Sequence, residues 1–264
     1  RAAAVTSLRT LAGGTAHVVT RGGAVTFVGA PGRALTGPSD DDLAAVAYRF
    51  LQRAAPAFGV SSTADLELDR VSAGIGTDSV RYQQTLDGVP VLGGEIAVQI
   101  DDTGAVRSAS GEATLTSTVD TTPTISPARA GSVARAATAR ADAVDESLLV
   151  ESTPALMVYD PALLGASEGI GTRLVWHVEV RTELGDVDRV VLVDAADATI
   201  ALHWSERADA RNRQVCDDNG GSSTTCTSPV RVEGGAAVAS AEVNAAYDLS
   251  GVTYDFYLSV LGRD

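Results

Sequence analysis

Val80, Tyr82, Gln84 and Leu86 alternate with Arg81, Gln83 and Thr85, the period-two pattern of a half-buried strand. Asp87-Gly88 signals a tight turn, and residues 89–92 re-enter as a short strand that Gly93-Gly94 is expected to break. Residues 95–101 alternate again, and Asp102-Thr103-Gly104 turns the chain into residues 106–112. The pattern predicts three antiparallel strands. Ahead of them, residues 17–20 and 24–28 are strand-like. Leu43, Val46, Ala47, Phe50, Leu51, Ala54 and Phe58 then recur at three- and four-residue steps, one apolar helical face. Ser39 is the expected N-cap, with Asp40, Asp41 and Asp42 in the first turn, and Pro56 and Gly59 mark the end. A helix on an antiparallel sheet follows, an α+β layer.

The polar stretch 116–124 reads as a linker, and the pattern then repeats. Ser126 caps and Pro127 opens a helix running through Val133 and Ala137 to about Ala141. Strands are expected at 155–159, 172–184, 189–194 and 199–205, with turns at Gly185-Asp186 and Asp197. Residues 207–231 have a loop composition rich in Gly, Ser, Thr, Asn and Asp. Residues 241–261 form a last helix whose stripe is Val243, Ala246, Tyr247, Tyr254, Tyr257, Leu258 and Leu261, weakened by Gly251.

Composition narrows the function. The net charge is −14, all 20 basic residues are arginine and lysine is absent, which argues against nucleic acid as a partner. No apolar run is long enough for a membrane span. The chain opens on Arg1 without a visible signal peptide, as expected of one already trimmed. Cys216 and Cys226 lie ten residues apart; two free thiols are one reading, and a local disulfide is the expectation. Such a loop contributes about 2–3 kcal/mol and points outside the cytosol. No G-x-S-x-G elbow is present, and no Gly-Gly pair is followed by Lys-Ser/Thr. Two acidic runs carry oxygen ligands suited to calcium, but a capped helical turn better explains residues 40–42, and an Asx-type turn better explains Asp217-Asp218-Asn219-Gly220.

The particular residues are narrower than their periodicity. YQQTLDGVPVLGGE, followed by DDTGAVRSASG, resembles the propeptide domain shared by fungalysins and thermolysins. LVWHVEVRTELGDVDRVVLVDAADATIALHW resembles a PepSY domain, with a strand centred on Trp176, a Val193-Asp194-Ala195 turn and a last strand ending near Trp204. EVNAAYDLSGVTYDFYLSVLGRD resembles the first long helix of thermolysin-like catalytic domains. The three blocks stand in the family's order across about residues 44–264.

This resemblance implies two helix-on-antiparallel-sheet (cystatin-like) domains, at 1–122 and 123–206, then a processing linker and the opening of a catalytic domain at 207–264. It implies a secreted zinc-endopeptidase precursor whose propeptide chaperones and inhibits the cognate catalytic domain until cleaved. The alternative is a stand-alone PepSY-type inhibitor or cell-surface binding module acting in trans. Ser205, Arg207, Ala208, Arg211, Arg213 and Val215 are the expected processing loop, because exposed linkers attract proteolysis. Cleavage before an apolar residue would favour Ala208 or Val215, whereas the three arginines suit a trypsin-like activator or are ordinary solvated charges. The chain's histidines are His17, His177 and His203, and H-E-x-x-H is absent. The chain as it stands is therefore expected to be no zinc peptidase and to need no cofactor; zinc, with calcium, would belong to the parent catalytic domain.

Overall fold

The computed structural model describes residues 5, 6, 8, 10, 16–116, 119–165, 171–206, 212–221 and 225–261. Strands β1 (His17–Arg21) and β2 (Ala24–Gly29) precede helix α1 (Leu43–Phe58). The helix starts later than the sequence predicts. Asp42 is its N-cap, accepting the Ala44 and Ala45 N–H groups at 3.0 and 3.3 Å. Ser39 lies four residues ahead of Leu43: its Oγ accepts the Asp41 N–H at 3.2 Å, and its N–H donates to Thr103 O at 3.0 Å, which ties it to a distant turn outside the helix. Gly59 ends the helix in the left-handed region at φ 99°, where a residue without Cβ carries no steric penalty. Pro56 lies in the last turn.

Strands β3 (Leu66–Ser72), β4 (Thr77–Leu86), β5 (Val89–Asp101) and β6 (Val106–Glu112) follow. The expected break at Gly93-Gly94 does not occur. β5 is continuous, and its pairing with β4 shifts register between Gln83 and Thr85. A bulge absorbs the glycines, and the Gln83 amide donates to Val91 O and Gly94 O at 2.7 and 2.9 Å, satisfying carbonyls at the bulge. Val80, Tyr82, Ile96, Val98 and Ile100 face Ala47, Phe50, Leu51 and Phe58 of α1 in a closed core. Each such side chain fully buried contributes about 1.5–3 kcal/mol.

The second layer is built alike. Helix α2 (Pro127–Asp142) is capped by Ser126, whose hydroxyl accepts the Arg129 N–H at 3.2 Å. Its small inward residues Ala130 and Ala134 let it lie close against β9 (Arg173–Thr182) and β10 (Asp188–Asp194), on Leu174, Trp176, Val178, Val191 and Val193. The Trp176 indole donates to Ile125 O at 3.2 Å, pinning the helix entry. β7 (Leu149–Glu151) and β8 (Ala155–Tyr159) pair successive stretches of one edge of β9, and β11 (Ile200–Ser205) pairs β10.

The expected α+β class holds, and the layers share one sheet. Its main order is β1-β2-β6-β5-β8-β9-β10-β11, with β4 also pairing β5, β3 pairing β4, and β7 pairing β9. The start of β5 extends past β6, and β8 joins that overhang in parallel at Val91 and Val158. Beyond β11, a stretch predicted as loop contains a hairpin of β12 (Gln214–Val215) and β13 (Arg231–Val232). Helix α3 (Ala241–Leu261) packs on it through Val243 and Tyr247, whereas Ala246 and Tyr257 of the predicted stripe are exposed. Leu258 and Leu261 of that stripe lie outside the described side chains. Among the described residues no helix is long and apolar enough to cross a membrane.

Candidate docking faces and processing segment

Because each helix covers one face of its layer, alternation dictates what the opposite face presents. Opposite α1 lie Ser79, Arg81 and Gln83 of β4, Glu95, Ala97 and Gln99 of β5, and Ser108 and Ser110 of β6. These side chains are short or internally matched. Arg81 pairs with Glu95, and Gln99 donates to Ser79 Oγ at 3.0 Å. Opposite α2 the character reverses. Tyr159, Val175, Val190 and Leu192 form an apolar cluster ringed by Leu92, Met157, Leu202 and Trp204. His177 shares that face, opposite Leu192 and Ala155, as a sheet-packing residue. His203 sits on β11 with Nδ1 2.8 Å from the Arg189 guanidinium, and His17 is 6.1 Å from the Phe27 ring. Among the described residues, no group of three or more His, Cys, Asp or Glu is placed to hold a metal ion.

The expected processing loop divides into two anchored ends. At its start, Ser205 ends β11, the Glu206 N–H donates to Asp188 O at 2.9 Å, and the Trp204 indole donates to the Glu206 carboxylate. Arg207, Ala208 and Arg211 lie outside the described residues. At its far end, Arg213 differs from the solvated linker charge that composition suggests. Its Nε and one terminal nitrogen grip the two Glu233 oxygens at 2.6 and 2.7 Å, and its other terminal nitrogen donates to Tyr247 O at 2.9 Å. Even its backbone N–H reaches Glu233, at 3.1 Å. Val215 is likewise held in β12, opposite Arg231, with its carbonyl accepting from Val230 at 2.8 Å.

Tyr247 organises this end. Arg213 and Arg231 lie 3.6 and 3.8 Å from its ring centroid, close enough that the two cations must occupy opposite ring faces. Its hydroxyl accepts the Gly234 N–H at 2.9 Å. The Glu233 carboxylate, first by hydrogen bonding, raises the Arg213 pKa above its ordinary value. The sequence flags Arg213 and Tyr247 separately but gives no sign that Glu233 and Arg231 join them, because their partners come from distant positions. Cys216 and Cys226 are bonded, with Cα atoms 5.6 Å apart. Within that loop the Asp217 carboxylate accepts the Asn219 N–H at 2.9 Å, an Asx turn, with Asn219 and Gly220 at φ 49° and 79°.

Residues 67–113, from the second residue of β3 to one past β6, match the Fungalysin/Thermolysin Propeptide Motif. A zinc metalloproteinase of Renibacterium salmoninarum is 28% identical over 193 residues, covering 67% of this chain and 35% of that protein. The chain therefore spans about a third of the length of the curated relative it matches. Among solved structures, the Bacillus megaterium YpeB C-terminal domain overlays 72% of this chain and 75% of its own, with a TM-score of 0.37 and 12% identity; that overlap contributes nothing to the functional reading. The motif across β3–β6 and the metalloproteinase relative identify this chain as similar to the propeptide region of a thermolysin-family precursor.

Proposed function

We propose that this chain is the propeptide region, with the opening of the catalytic domain, of a secreted thermolysin-like zinc endopeptidase precursor, and that it chaperones and inhibits the enzyme until cut. The carrying observation is the coincidence of the propeptide motif with the β3–β6 strands, in a chain that ends in a separately braced hairpin and helix. The divisions 1–122, 123–206 and 207–264 are part of this proposal. The polar and apolar sheet faces supply docking area, and a body that binds the native catalytic domain but not its unfolded chain stabilises it by mass action. Covalent tethering raises the effective concentration to roughly millimolar, so release requires cleavage. Ser205 lies in β11, and Arg213 and Val215 belong to the braced hairpin. The reading therefore favours cleavage near Arg207, Ala208 or Arg211. Zinc, with calcium, is assigned to the remainder of the enzyme.

The test is to add the purified chain to a panel of thermolysin-like proteases. Slow, tight inhibition followed by a cut between Ser205 and Arg213 supports the proposal. Absence of inhibition across the panel, together with a precursor that matures normally when residues 16–205 are deleted, would refute it.

A further inference from the structure

The two layers meet at a buried polar joint. Gln84 of β4, 3% exposed, uses its side-chain amide as a backbone mimic: Oε1 accepts the Thr114 N–H at 2.8 Å, and Nε2 donates to Thr114 O at 3.3 Å. Thr114, 1% exposed and the first residue beyond the propeptide motif, donates its hydroxyl to Asp160 Oδ2. Asp160 follows β8 in the second layer, is 8% exposed, and accepts the Ala162 N–H through Oδ1 at 3.0 Å. Leu86, two residues beyond Gln84, and Val158, two before Asp160, pack with Val91 in one apolar cluster, and the hydroxyls of Thr116 and Thr172 cross between layers again at 2.8 Å.

Among the described residues, the hydrogen-bond donors to Asp160 are an uncharged hydroxyl and a backbone N–H, one from each side of the joint. A carboxylate buried this way is tolerated only while those donors stay in place. Sliding or opening of one layer against the other strips the Thr114 hydroxyl away and leaves the charge undersatisfied. An apolar contact alone would tolerate several registers; directional bonds select one.

We infer that Gln84, Thr114 and Asp160 form an interlayer lock, positioning residues that hold the two sheet faces at the one angle at which they engage the protease together. The engagement rests on the propeptide reading above; the lock itself does not.

The test uses the full chain and the variants Thr114→Val, which removes the hydroxyl at nearly constant shape, and Thr114→Ser, which keeps it. Trp176 and Trp204 both lie in the second layer, so fluorescence follows that layer. Hydrogen exchange at the Ile96, Val98 and Ile100 amides in increasing urea follows the first. The wild-type layers unfold together, those of Thr114→Val unfold at separate midpoints, and Thr114→Ser restores coincidence. Inhibition in trans weakens about tenfold in Thr114→Val and returns in Thr114→Ser. If Thr114→Val fails to fold, Asp160→Ala, which removes both acceptor oxygens, gives the same split. Separate midpoints in the wild type, or coincident midpoints and unchanged inhibition in the variants, overturn the lock. A wild-type chain that inhibits no protease sinks the propeptide reading, and the midpoints then decide the lock alone.

Discussion

The guanidinium of Arg213 stands 3.6 Å above the ring of Tyr247, while its fork holds both oxygens of Glu233. The pairing joins the first described residues after the undescribed stretch 207–211 to the last helix. Arg213→Ala should loosen β12 from β13, seen as about tenfold faster exchange of the Val230 amide and new proteolysis near Val215. Arg213→Lys should rescue only part, because an ammonium cannot grip both carboxylate oxygens in the same planar geometry. Unchanged exchange in Arg213→Ala would show the pairing to be incidental.

Gly104 and Gly88 have similar backbones and opposite surroundings. Both lie in the left-handed region, at φ 73° and 76°. A Cβ on Gly104 would stand 1.8 Å from Ser39 O, whereas nothing lies within 4 Å of one on Gly88. Gly104→Ala should therefore cost about 2–4 kcal/mol, and Gly88→Ala about 1 kcal/mol, from backbone strain alone. Urea denaturation of the two variants checks the difference.

Asp142, at the end of α2, receives two hydrogen bonds from Arg189 at 2.8 and 2.9 Å. Those bonds hold its carboxyl below the ordinary range, with burial opposing them. A folded-state value below the unfolded one means stability that is present above the unfolded pKa, near pH 4, and lost as pH falls through the folded value. Asp142→Asn should lower stability by about 1 kcal/mol at neutral pH, screening by solvent included. The gap to wild type should stay level from about pH 7 to 5 and close below about pH 4. A gap that persists at about pH 2 would contradict the assignment.

The Cys216–Cys226 bond closes a short loop beside β12. Its removal in a Cys216→Ser/Cys226→Ser variant should cost about 2–3 kcal/mol. The loss should fall on the hairpin and α3, which pack on one another. Thermal unfolding should then lose helical circular dichroism early, while Trp176 fluorescence holds its midpoint. A downward shift of both signals together would show that the hairpin braces the sheet.

Much of this architecture was readable from local pattern. The α1 stripe, the alternation in β4 to β6, the Ser126-Pro127 start of α2 and the succession β8 to β11 depend on side-chain period and turn residues, which neighbours in the chain determine. β3 and β7 escaped notice because each is an edge strand with little inward apolar content: of β3 only Leu66 is buried, and of β7 only Leu149. Ser39 carries a capping side chain, but residue type does not show that its bond to Thr103 holds residues 39–41 outside the helix. Gly93 and Gly94 announce an unusual backbone locally; whether it ends a strand or makes a bulge depends on the partner strand.

Local pattern is enough for the three helices, the inner strands of both layers, the absence of H-E-x-x-H and the family resemblance, because periodicity, composition and motif spacing are properties of neighbouring residues. Closure of the fold is what joins β5 to β8 and so merges two layers into one sheet, binds Arg213, and brings Gln84, Thr114 and Asp160 together. Those contacts join residues 30 and 46 positions apart in the joint, and 20 and 34 in the Arg213 cluster. Polar side chains like these carry no periodic signature, so their partners are chosen by burial and directional bonding once the chain has closed on itself.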